Sequence, residues 1–257
     1  MAKVDAKAVA AARRRMDAIV AEAQRRVEPA LKAALRKAMT RIAAALSERD
    51  TWSVAEMETL VSVVRGALED AGVYELSERF GIVAKAITKA AADVAPLSAA
   101  EGNLLAAAVK ARYEGWEATV DRQIIDWIRD RMISQSVEPL DYMTLADEIS
   151  QHLDETVVQY AGTYAETAIS QIERDAWIAT GEALGAEYWR WDGPPPIDTS
   201  HPECEEYWNH VFTREELEAM GENSTGLPVW PTLGGWGCRH TPTPVDPETA
   251  VAERGEK

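Results

Sequence analysis

Proline restricts this chain most, and its twelve copies are unevenly placed: only Pro29, Pro96 and Pro139 precede Gly185, and nine follow it. Proline lacks a backbone N–H and clashes with the preceding helical turn, so a stretch almost free of it can be helical throughout, and a stretch dense in it cannot. The first 185 residues, rich in Ala, Glu, Arg and Lys with scattered single glycines, therefore read as helix, with each proline marking a boundary or kink. Leu31, Leu35, Met39, Ile42 and Leu46 recur at steps of three or four, as do Tyr113, Trp116, Val120, Ile124 and Trp127. A third stripe, Ile149, Leu153, Val157, Tyr160, Tyr164, Ala168 and Ile172, predicts one long helix ending near Gly181–Gly185. Ser98 with Glu101, and Asp141 with Thr144 after Pro139, mark helix starts. Four to six helices fit this region.

Five of the nine tryptophans also follow Gly185, so a second and irregular module begins there. Tyr188-Trp189-Arg190-Trp191 alternates as a strand does, Pro194-Pro195-Pro196 interrupts it, and Thr213 to Met220 has the look of a short capped helix. Leu227 to His240 is rich in turn formers. The expected organisation is a helical body over 1–185, a Trp- and Pro-rich module over 186–245, and a polar, frayed tail over 246–257. The fold class is mainly α, with a small α+β module at the C-terminal end.

The formal charge of -16 argues against non-specific binding of the whole surface to nucleic acid or anionic lipid. Residues 1–50, however, carry twelve Lys/Arg against six Asp/Glu, a balance of +6 that leaves -22 on the remainder. Arg13, Arg14, Arg15, Arg25 and Arg26 in this basic helix are candidate contacts to DNA or to an acidic partner, or simply its solvated face. No apolar run approaches the roughly 20 residues of a membrane span, and no secretory signal opens the chain. A soluble protein made in the cytoplasm is expected, with no membrane partner.

Cys204 and Cys238 are too few for a disulfide framework, and each has a histidine close by. His201-Pro202-Glu203-Cys204 and Cys238-Arg239-His240 form two tight pairs separated by 33 residues. Two ligands on either side of a loop can converge on one tetrahedral zinc ion. The module has little aliphatic sequence, so metal binding would supply folding free energy directly. Buried thiols without metal, or a Cys204–Cys238 disulfide, are the alternatives, and His210 is a weaker fifth candidate. Trp189, Trp191, Trp208, Trp230 and Trp236 suit either a recognition surface or the module's small core.

These residues resemble the C-terminal module of phage head morphogenesis proteins, the Mu F-like minor head proteins. Tyr188-Trp189-Arg190-Trp191, His201 to Cys204, and Gly234-Gly235-Trp236-Gly237-Cys238-Arg239-His240 fill the places of the family's aromatic strand, first ligand pair and closing pair. His201 and His240 stand where the family commonly has cysteine, and both remain zinc-competent. The resemblance covers the last quarter to third of the chain. It implies a structural protein of the virion, with no catalytic residues and no small-molecule substrate. That protein would bind the portal and the major capsid or scaffold protein, with packaged DNA a further contact for the basic helix. The ligands it implies are His201, Cys204, Cys238 and His240.

Phosphate-binding loops, nucleophile elbows and zincin motifs are absent. One catalytic alternative is left: His201-Pro202-Glu203 is similar to the His-x-Glu of zinc nucleobase deaminases. There Glu203 would be the general acid/base beside a metal held by His201, Cys238 and His240. A third class, a zinc-stabilised nucleic-acid-binding protein, would rest on residues 1–50.

Overall fold

Helix is the prevailing structure in the computed structural model, which describes residues 5–95, 97–134, 140–154, 159–198 and 200–255. In chain order these form α1 (Ala6–Leu46), β1 (Thr51–Trp52), α2 (Met57–Asp70), α3 (Leu76–Ala92) and α4 (Ala99–Val120). A π-helical turn, Asp121–Asp126, leads into α5 (Trp127–Ser134), then β2 (Leu140–Asp141), α6 (Tyr142–His152) and α7 (Gln159–Leu184). The remainder is β3 (Tyr188–Asp192), α8 (Pro202–Tyr207), β4 (Val211–Thr213), α9 (Arg214–Ala219), α10 (Val229–Thr232), β5 (Thr241–Val245) and α11 (Pro247–Arg254). Seven helices thus precede Gly185 among the described residues, one more than the upper expectation, because turns such as Ala71-Gly72 end helices without a proline.

Pro29 does not bound a helix. Helix α1 runs through it, and Pro29 sits on the exposed side, where water can replace the hydrogen bond it forgoes. Pro96 and Pro139 lie outside the described residues. The α1 stripe is longer than expected: Val9, Ala12, Met16, Ala23, Val27, Leu31, Leu35, Ala38, Ile42 and Leu46 are all buried. Ala38 takes the core position expected for Met39, which is only half-buried.

The chain divides into two compact units that interleave along the sequence instead of splitting at Gly185. One comprises Arg25–Phe80 and Tyr113–Ala165. Its core includes Leu31, Leu35, Ile42, Leu60, Val64, Leu68, Ile124, Ile128, Leu145 and Ile149. Among the described residues a two-residue antiparallel pairing, Thr51 with Asp141 and Trp52 with Leu140, is the strand content here, within a region expected to be wholly helical. The π-turn explains why Ile128 rather than Trp127 is fully buried: one extra residue per turn rotates the stripe by one position. Trp127 instead stacks on His152 at 4.1 Å, and His152 Nε2 lies 2.7 Å from the Gln123 carbonyl in the π-turn. Val157 lies outside the described residues, as do the side chains of Tyr113, Trp116, Tyr160 and Tyr164.

The other unit comprises Met1–Gln24, Gly81–Arg112 and Glu166–Lys257. A three-stranded antiparallel sheet, order β4-β3-β5, pairs Trp189 with Pro244 and Phe212, and Trp191 with Pro242. Strand β5 tolerates two prolines because it is an edge strand, where a missing N–H breaks no ladder. Trp189 and Trp191 anchor a cluster with Cys204, Leu217, Val229, Trp230, Leu233 and Cys238. Gly181 on α7 makes room for it: a Cβ there would fall 2.1 Å from the Trp189 ring. Three of the five module tryptophans are therefore core, Trp208 is half-buried, and Trp236 is 43% exposed.

The segment 246–255 is no frayed tail. Asp246 caps α11, Ala250 is buried, and Arg254 pairs with Glu216 and donates to the Val211 carbonyl. No helix among the described residues is long and apolar enough to cross a membrane.

Candidate metal centre

The turn after α10 carries the chemistry. Cys238 N–H donates to the Gly235 carbonyl at 3.2 Å, which folds the Gly-Gly-x-Gly-Cys run back on itself. His240 N–H then donates to Cys238 Sγ at 3.4 Å. Gly234 is needed at its position for space, since a Cβ there would lie 2.5 Å from Cys204 Sγ and 3.1 Å from Cys238 Sγ. Cys204 reaches the same point from the first turn of α8, which His201 caps with extended backbone and Pro202 opens.

Cys204, Cys238 and His240 are all buried, and their ligand atoms lie within 4.8 Å of one another. The two sulfurs are 3.5 Å apart, and Cys238 Sγ is 3.6 Å from His240 Nδ1. With zinc–sulfur bonds of about 2.3 Å and zinc–nitrogen bonds of about 2.0 Å, the edges of a tetrahedron are about 3.8 Å and about 3.5 Å. The two edges that meet at Cys238 Sγ have the length of such a site. His240 Nε2 lies 2.9 Å from the Pro194 carbonyl, which fixes the proton there and leaves the Nδ1 lone pair facing the sulfurs. These three side chains could hold a metal ion.

The cysteines differ in their hold on a proton. Cys204 is pushed up, first by its hydrogen bond to Cys238 and then by burial. Cys238 is drawn well below the ordinary thiol range, first by that hydrogen bond and then, against burial, by His240 and Arg174. One thiolate is thus already favoured, and the thiolate is the metal ligand.

Compared with protein-family models, curated proteins and solved structures, the chain matches none.

His201 does not join the cluster: its Nε2 lies 2.6 Å from the Trp236 carbonyl and its Nδ1 3.3 Å from Ser224 Oγ. Of the four ligands expected from the sequence, Cys204, Cys238 and His240 lie together and His201 lies apart from them. Its first pair is divided because His201, as the N-cap of α8, is turned toward the 224–236 loop. Glu203 likewise accepts hydrogen bonds from the Ser224 backbone N–H and hydroxyl. His210 is exposed and packs near Phe212, away from the cluster.

The candidate arginines separate in the same way. Arg13 is largely buried and donates to Thr241 and Thr243 of β5, beside Asp192, and Arg15 pairs with Asp93. Arg15 is exposed, as are Arg14, Arg25 and Arg26. Sequence reasoning missed Arg174. The residue is 2% exposed, and its guanidinium donates through Nε to the His240 carbonyl at 2.9 Å and through Nη2 to the Cys238 carbonyl. The apolar stripe of α7 passes through Ala168 and Ile172 and does not include position 174, and nothing local in the sequence marks that arginine as buried.

Proposed function

We propose that this chain is a structural protein whose module is stapled by one zinc ion, and that it serves as a minor head component of a tailed phage or prophage, bound at the portal vertex and acting in head assembly and DNA packaging. The observation that carries the zinc reading is the convergence of Cys204, Cys238 and His240, with ligand atoms all within 4.8 Å of one another and the two contacts of Cys238 Sγ at 3.5 and 3.6 Å. Two thiolates and an imidazole select zinc over harder cations such as magnesium or calcium. The fourth position goes to water, or to His201 once it leaves the Trp236 carbonyl. The head-protein reading rests on the resemblance of the closing Gly-Gly-x-Gly-Cys-Arg-His run, which here forms the turn that presents two of the ligands. The portal and the major capsid or scaffold protein are the proposed partners, met through protein contacts, with DNA a further partner of the exposed arginines.

The open fourth position favours a second reading, a hydrolase- or deaminase-like site with Glu203 as general acid/base. Glu203 is engaged by Ser224, which suits a structural role better.

Metal analysis of the purified chain should give one zinc per molecule, and chelation should lower its melting temperature. Cys204→Ser and Cys238→Ser should each lose the zinc, while Glu203→Gln should keep both zinc and stability. A metal-free, equally stable wild type would remove the zinc reading. Co-expression with the portal and capsid proteins encoded alongside it should yield a complex that elutes with the portal ring. Elution of the free chain alone would remove the head-protein reading.

A further inference from the structure

Three residues outside the ligand set hold the ligand loop from behind. On α7, Thr167 Oγ1 accepts from the Gly237 N–H at 3.1 Å, and Arg174 donates to the carbonyls of both Cys238 and His240. From the other side, the Pro194 carbonyl meets His240 Nε2. Arg174 is the unusual member. A buried guanidinium costs solvation free energy, and such groups are retained where their charge and fork are used. Here the fork spans two carbonyls two residues apart, those of the residues that offer Sγ and Nδ1 to the metal. Its third nitrogen, Nη1, is buried with no hydrogen-bond partner among the described residues, so backbone pairing alone does not account for the cation.

We infer that Arg174 is the positioning residue of the metal centre: its bidentate grip on the Cys238 and His240 carbonyls sets the bite of that ligand pair, and its charge lies behind the thiolates. This rests on the metal reading proposed above and extends it. Two consequences follow from the geometry. Lysine, a point charge without the planar fork, cannot span both carbonyls and so keeps the charge while losing the alignment. The same two hydrogen bonds join α7 to the ligand loop, so metal occupancy and the docking of that loop on α7 are linked within this unit.

The test uses the full chain, wild type and Arg174→Lys, with zinc affinity measured by chelator competition and ligand geometry by the absorption of the cobalt(II)-loaded protein. Replacing outer-shell partners typically weakens metal binding about 10- to 100-fold. Arg174→Lys should fall in that range and shift the cobalt bands, while the melting temperature drops more with zinc than without it. A residue that merely stabilises the fold would lower both melting temperatures equally and leave the affinity unchanged, and that result overturns the inference. If Arg174→Lys does not fold, Thr167→Val, which removes the acceptor for Gly237 N–H, carries the test: weaker zinc binding supports the outer shell, and unchanged binding refutes it. A wild-type chain that takes up no zinc or cobalt sinks the metal reading and this inference together. Tight wild-type binding with an equally tight Arg174→Lys sinks this inference alone.

Discussion

Glu173, beside Arg174 on α7, is 3% exposed, and its Oε1 has no hydrogen-bond partner among the described residues. Burial pushes its carboxyl up to about 7 from an ordinary 4.5; Arg13 pulls it back and Asp17 adds to the rise. The folded chain therefore binds more protons than the unfolded one between these values. Its contribution to stability is fully present below about 4.5, declines as the pH rises through about 7, and is then level. At one pH unit per 1.36 kcal/mol, the full effect is on the order of 3 kcal/mol. Glu173→Gln should remove this decline and raise stability at pH 8 by on the order of 1–3 kcal/mol in urea unfolding. Identical pH profiles for variant and wild type would show that the carboxyl titrates alike in the folded and unfolded chain. Neither Glu173 nor Arg174 was legible as a buried residue, because a charged pair next to an apolar stripe has the same pattern as a helix's wet side. Cys204, Cys238 and His240 were legible because few roles other than metal binding gather those residue types in so short a module.

The helix starts were legible where a side chain closes the first turn. Asp141 accepts from Thr144 N–H at 2.9 Å, and Thr213 and Glu216 form a reciprocal box at the start of α9. The same chemistry at Asp246 went unread because the polar segment after it lacks an apolar stripe. There the carboxylate accepts from the Thr249 backbone N–H at 2.9 Å and from the Thr249 hydroxyl, hydrogen bonds that hold its carboxyl below the usual range. Asp246→Ala should cost about 1 kcal/mol, the ordinary worth of an N-cap, and should raise hydrogen exchange across Pro247–Arg254. Unchanged exchange would mean that Arg254 and the buried Ala250 hold α11 unaided. Strand β5 was illegible for a different reason. Alternating Thr and Pro carries no strand signal of its own, and the edge position and the facing tryptophans make a strand of Thr241–Val245.

At the scale of the molecule, the change of composition at Gly185 marks a change of local structure but does not bound a folding unit. Chain segments from both sides of Gly185 build the unit that holds the cluster. Arg13 of α1 reaches Thr241 and Thr243, Arg174 of α7 holds the Cys238 and His240 carbonyls, and Trp189 fits over Gly181. A fragment of residues 186–257 loses all three, exposes one face of Trp189 and leaves the Cys238 and His240 carbonyls without their donor. Buried groups stripped of partners cost about 1–3 kcal/mol each, which a small module with few aliphatic residues cannot absorb. The isolated fragment should therefore be poorly ordered without metal, with little near-ultraviolet circular dichroism, and should bind zinc at least tenfold more weakly than the full chain. Adding zinc should restore only part of its order, because the ion replaces neither Arg13 nor the α7 surface. A fragment that binds zinc as tightly as the full chain, with dispersed amide resonances, would show that the tryptophan cluster suffices and that α1 and α7 only cover a module already folded.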